Sequence, residues 1–136
     1  MPSDVVLNKL QTIKRCIARI HEEYSGNARN LQNITRQDSI VLNIQRACEA
    51  SIDLAMYVVS QKSLGIPQSS RDAFEIMHTA GLLHKELANQ MKAMAGFRNI
   101  AVHDYRTINV EILQSIIEHH LEDLRKFSDA VLVLGV

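Results

Sequence analysis

Arg98, His103 and Tyr105 fall within the eight-residue stretch RNIAVHDY, and together they bring a permanent cation, a proton-transfer group and a hydroxyl to one place. Arginine stays protonated and offers a planar fork of donors. Histidine, with an ordinary pKa of about 6.5, has both its acid and its base form available near neutrality. Spacing limits how they can act. Residues five apart on a straight helix differ by about 140° in direction, so Arg98 and His103 do not converge on one small group. Either the helix breaks near HDY, or a second copy of the chain supplies the complementary residue across a two-fold axis. Asn99 and His103, at i and i+4, share a face, which suits the amide to orienting the imidazole. Tyr105 lies about 200° around from His103, so the two act together only across a non-helical turn. The same letters also fit a plain helix end, with Arg98 and Asp104 solvated and His103 a terminal residue.

Other residue types with chemical potential are less well placed. His84, His119 and His120 invite a metal reading, but adjacent histidines point about 100° apart on a helix and cannot both chelate one ion. No H-x-x-x-H or carboxylate-rich pattern accompanies them, and no metal site or cofactor is expected. There is no Gly-rich phosphate loop and no G-x-S-x-G elbow, and the Ser69–Ser70 pair reads as a helix cap. Gln45, Glu49 and Asp53 are spaced by four and form a polar strip. That strip is either a solvated flank paired with Arg46 or a support that orients Arg98 or His103.

The elements that must position these residues are all helical. Ser3 is placed to cap DVVLNKLQTIKRCIARIHEEY, whose Val6, Leu10, Ile13, Ile17, Ile20 and Tyr24 step by three and four into one buried stripe. SGNARNLQN reads as a polar loop. A second helix begins near Thr35 or Gln37, carries Val41, Ile44, Cys48, Ile52, Ala55 and Val59 on one face, and ends at LGIP, where Gly65 and Pro67 stop it. SSRDAFEIMHTAGLL is a short third helix. HKELANQMKAMAGFRNIAVHD is the fourth and buries Leu87, Met91, Met94 and Phe97 or Ala101, the methionines as core filling. The fifth runs from about Asn109 to Val133 through Leu113, Ile116, Leu121, Leu124, Phe127 and Val131. The expected architecture is all-α, an up-and-down bundle of four long helices and one short one in a single domain over residues 1–136.

Composition agrees with a bundle and narrows the partners. Five Gly and two Pro among 136 residues punctuate the chain too sparsely for a sandwich or barrel. Fifteen basic residues balance fifteen acidic ones, so no basic field exists to hold long nucleic acid nonspecifically. A grip on a few phosphates at one site remains open. Cys16 and Cys48 sit in apolar helical patterns and are expected to be buried, reduced thiols. The amphipathic start MPSDVVLNKLQTIKR is neither a signal peptide nor a membrane span, and the expected setting is the cytoplasm.

Arg98, four intervening residues, His103, any residue and Tyr105 resemble the R-x4-H-x-Y signature of HEPN-domain toxins of the HepT type, in which a polar residue such as Asn99 often follows the arginine. The resemblance extends through NKLQTIKRCIARI, LNIQRACEASIDLA, LGIPQSSRDAF and HHLEDL, which spans nearly the whole chain. It implies a HEPN-like bundle and a metal-independent endoribonuclease that cuts RNA through its own 2′-hydroxyl. His103 would then do acid–base work, Arg98 would stabilise charge at phosphorus, and Asn99 would orient. The cleft would form between the two protomers of a homodimer. The resemblance further implies a small nucleotidyltransferase antitoxin that silences the enzyme by transferring AMP from ATP onto Tyr105. The competing expectation is a catalytically silent helical dimer that helps a nucleotidyltransferase bind nucleotide or substrate. A plain oligomerising bundle explains the apolar stripes but not the motif.

Overall fold

The computed structural model describes residues 1–136 as helices joined by short turns. They are α1 (Asp4–Tyr24), α2 (Ile34–Gln61), α3 (Ser70–Thr79), α4 (Lys85–His103), α5 (Val110–Ser115) and α6 (Leu121–Leu132). No helix is long and apolar enough to cross a membrane. α1 starts where its cap requires: the Ser3 hydroxyl accepts from the Val6 N–H at 3.3 Å, a contact worth about 1 kcal/mol. Its predicted stripe is buried except for Leu10, which is partly covered.

α2 is the central element, packed against α1, α3, α4 and α6. A helix surrounded in this way needs more than one apolar face. Besides the expected face, α2 therefore buries Ile40, Ala47, Leu54 and Val58. It stops earlier than Gly65 and Pro67 would dictate. Ser63 takes a left-handed conformation at φ 52°, its N–H donates to the Ser60 carbonyl, and the Leu64 N–H donates to Val59 at 3.0 Å. This is a Schellman close, and Leu64 lies against the core, as such caps favour. α3 ends the same way one turn short of the predicted GLL, with Gly81 at φ 80° and the Leu82 N–H on the Met77 carbonyl. Ser69, not Ser70, is its cap.

Two further regions depart from the expected outline. The polar loop after α1 holds a 3₁₀ turn, Ala28–Gln32, which buries Leu31. The long last helix runs without a gap from Val110 to Leu132, as expected, but contains a π turn over Ile116–His120 that separates α5 from α6. There the Leu121 N–H reaches back five residues to Ile116, which shifts the register between α5 and α6. The shift is anchored from outside: the buried Tyr24 hydroxyl of α1 donates to the Glu118 carboxylate. Thirty-five buried apolar residues make one continuous core, with Phe74 of α3 and Phe127 of α6 meeting edge to face at 5.4 Å.

Candidate functional site

α4 carries the site because its two ends have different surroundings. Met91, Met94, Ala95 and Phe97 face the core, while the last turn climbs out of it and leaves Asn99, Ile100, Val102 and His103 exposed. His103 is the final helical residue. Asp104 departs from helical geometry at φ −150°, ψ 61°, and its N–H still donates to Ile100 at 2.8 Å. Tyr105–Thr107 then form a 3₁₀ turn, held by the Thr107 hydroxyl on the Asp104 carbonyl at 2.9 Å. Of the two alternatives, a break near HDY does exist, but it begins after His103. It redirects Tyr105 and leaves Arg98 and His103 on one continuous helix, pointing apart.

Arg98 turns toward α2. Its Nη2 donates to Glu49 Oε2 at 3.3 Å, and its Nη1 to Asn99 Oδ1 at 3.1 Å. The Asn99 amide is thus engaged with the arginine, not with His103, because the adjacent guanidinium is the stronger, charged donor. The Arg98 Nε–H is buried without any acceptor.

The polar strip of α2 divides. Glu49 supports Arg98, and Gln45 extends an amide to Glu49 at 3.5 Å. Asp53 instead pairs with Lys9 of α1 at 2.8 Å, so Arg46 is the partner of neither carboxylate. Cys48 lies beside the Arg98–Glu49 pair, wholly buried, its thiol pushed up to about 12 by burial and then by the Glu49 charge. Cys16 is likewise buried and free.

Tyr105 stands 42% exposed, and its hydroxyl donates to Asp38 Oδ1 near the start of α2. Burial first, then the hydrogen bond and charge of Asp38, push the phenol up to about 12. Nothing in the sequence marks Asp38, because its partner lies 67 residues away. A second feature also escaped the sequence reading. His120 Nδ1 sits 2.9 Å from Asp123 Oδ2, and Asp123 is almost fully buried. His120 lines an open groove of about 730 Å³ with Met94, Phe97, Ile100, Ile112 and Ile116.

A ribonuclease HepT-like family model matches residues 13–131. The mRNA nuclease HepT of Shewanella oneidensis is 46% identical over 129 residues, covering 95% of this chain and 97% of that one. Among solved structures, the tri-AMPylated Shewanella oneidensis HEPN toxin in complex with MNT antitoxin superimposes with a TM-score of 0.91 at 45% identity, covering 96% of this chain and 98% of its own. A toxin–antitoxin complex with AMP-PNP superimposes with a TM-score of 0.92, again at 45% identity, with 96% and 99% coverage.

Proposed function

The chain belongs to the HepT-like ribonuclease family, and from that premise we propose that it is the toxin of a toxin–antitoxin pair, an RNA-cutting enzyme restrained by a nucleotidyltransferase partner. The observation that carries this reading is the placement of Arg98 and His103 at the emerging end of α4, with Tyr105 on the turn beyond. Arg98 is part-exposed and is held by the Glu49 carboxylate and the Asn99 amide oxygen. Such a guanidinium binds a phosphodiester and stabilises the charge that builds on it as the 2′-oxygen attacks phosphorus. His103, exposed at the end of α4, takes the 2′-hydroxyl proton or returns one to the departing 5′-oxygen. The bond to the 5′-oxygen breaks, leaving a 2′,3′-cyclic phosphate and a 5′-hydroxyl, and no step needs a metal ion.

Because Arg98 and His103 diverge on a single helix, the cleft is assembled from two copies across a two-fold axis. Each copy then contributes an arginine and a histidine to one substrate. Glu49 holds Arg98, and Asn99 steadies the same guanidinium. Tyr105 is the AMP acceptor: each AMP brings a phosphate charge and a bulky nucleoside to the edge of the RNA site, which repels and occludes substrate. Light scattering together with an RNA cleavage assay in EDTA tests the reading. The expected result is a dimer that cleaves without divalent ions. A strictly monomeric active species overturns the shared cleft, and activity that vanishes with EDTA and returns with a divalent ion overturns the chemistry.

A further inference from the structure

We propose that Asp38 is this chain's own contribution to its modification: the carboxylate holds the Tyr105 hydroxyl in place and takes the phenolic proton as the bond to AMP forms. The inference rests on the reading of Tyr105 as the acceptor. Two elements distant in sequence meet at this point, the 3₁₀ turn that begins at Tyr105 and the second turn of α2. The phenolic O–H donates to Asp38 Oδ1 at the surface, so the acceptor oxygen is both oriented and open to a docked partner. The nearby Arg36 sends its guanidinium to the Glu23 carbonyl at 2.9 Å, and so does not neutralise the carboxylate. Asp38, reaching from α2, supplies the charge that acts on the phenol. Along its own segment the charged or titratable neighbours of Tyr105 are His103, Asp104 and Arg106.

The step balances without a further reactant beyond ATP. Tyr105 Oη forms a bond to the α-phosphorus, the bond from that phosphorus to the bridging oxygen breaks, and pyrophosphate leaves with its electron pair. The phenolic proton passes to Asp38 and then to water. With its phenol pushed up to about 12, Tyr105 enters the reaction protonated at neutral pH. It therefore needs a proton acceptor in contact as its oxygen becomes a nucleophile.

The test incubates the purified chain with its cognate nucleotidyltransferase, ATP and magnesium. Intact-mass measurement counts AMP units over time and across pH, with peptide mapping of the modified residue. Asp38→Asn is the informative variant, since its amide oxygen still accepts the phenolic hydrogen bond but is too weak a base to take the proton. AMP transfer to this variant should slow at least about a hundredfold at neutral pH, with RNA cleavage by the unmodified protein unchanged. The deficit should shrink as pH rises, because a phenol freed of the carboxylate's hydrogen bond and charge, though still raised by burial, ionises at a lower pH than in the wild type and becomes its own nucleophile. Asp38→Glu should recover part of the rate. Modification of Asp38→Asn at the wild-type rate at every pH overturns the proposal. So does a deficit that is independent of pH and equal in Asp38→Ala, which would make the contact merely structural. Wild-type protein that gains no AMP, or gains it away from Tyr105, instead overturns the acceptor reading itself and takes this inference with it.

Discussion

Two histidines end two helical segments of this protein, and their surroundings are opposite. His120 closes the π turn, is held through Nδ1 by the buried Asp123, and lines an apolar groove. His103 closes α4 on an open surface, and its motif companion Arg98 is bonded to Glu49 and Asn99 and not to it. An oriented imidazole beside a cavity is the usual mark of an active site, and by that mark His120 would be chosen. The R-x4-H-x-Y pattern lies at His103. The proposed division of the site between two copies accounts for the contrast, since in one copy alone the arginine and the histidine diverge. A self-contained His–Asp pair, by contrast, can serve packing and register alone.

The sharpest way to separate acceptor from catalyst on the His103 side is Tyr105→Phe. It removes the hydroxyl and keeps the ring, so AMP incorporation should fall to background while RNA cleavage persists, as read by intact mass and a cleavage gel on the same preparation. A Phe variant that no longer cuts RNA would place Tyr105 in the nuclease machinery.

Next in size comes the contrast between the histidines. Arg98→Ala and His103→Ala should each lower the cleavage rate at least about a hundredfold with the fold intact, whereas His120→Ala should change it less than about twofold. If the ranking of the two histidines reverses, the groove is the catalytic place and the comparison above is inverted. Glu49→Gln keeps a hydrogen-bond acceptor for Arg98 but removes the charge that fixes it. Loss of about 1.4 kcal/mol of positioning corresponds to about a tenfold lower rate, expected in kcat more than in KM because the phosphate still binds. An unchanged rate would leave Glu49 as a surface charge.

The smallest effect probes the π turn. Burial first, then the hydrogen bond and charge of Glu118, push the Tyr24 phenol up to about 12. A pKa raised in the folded state means that the neutral phenol is favoured by folding. Its contribution is present in full below the ordinary value of about 10 and is lost as pH climbs through the folded value of about 12. Tyr24→Phe should therefore be less stable than wild type by about 1 kcal/mol near neutral pH. Urea unfolding should show the two converging in the alkaline range. A gap that persists undiminished above that range would assign the difference to packing, not to the hydrogen bond.

Much of the bundle was legible because its signals are local. Ser3 capping, the three-and-four stripe of α1 and the buried face of α2 depend on neighbours within a turn or two, which the sequence displays directly. Helix ends were less legible. Gly65 and Pro67 are conspicuous letters, but α2 had already closed at Ser63 through a cap whose hydrophobic contact, Leu64, is tertiary. The π turn carries no local mark either, since the contact that anchors it from outside joins residues 94 apart, Tyr24 and Glu118.

At the candidate site the division is the same. By itself the sequence determined the helical class, the ordered Arg98–His103–Tyr105 set and the argument that five residues on one helix cannot bring an arginine and a histidine together. These follow from residue chemistry and the fixed geometry of a helix. Long-range packing settles the rest: Glu49 and not Asp53 holds Arg98, Asn99 serves the arginine, the chain turns after His103 and Asp38 meets Tyr105. Each of those depends on where α2 lies against α4. That placement is set by the summed packing of a core drawn from every helix, and no short stretch of sequence carries it.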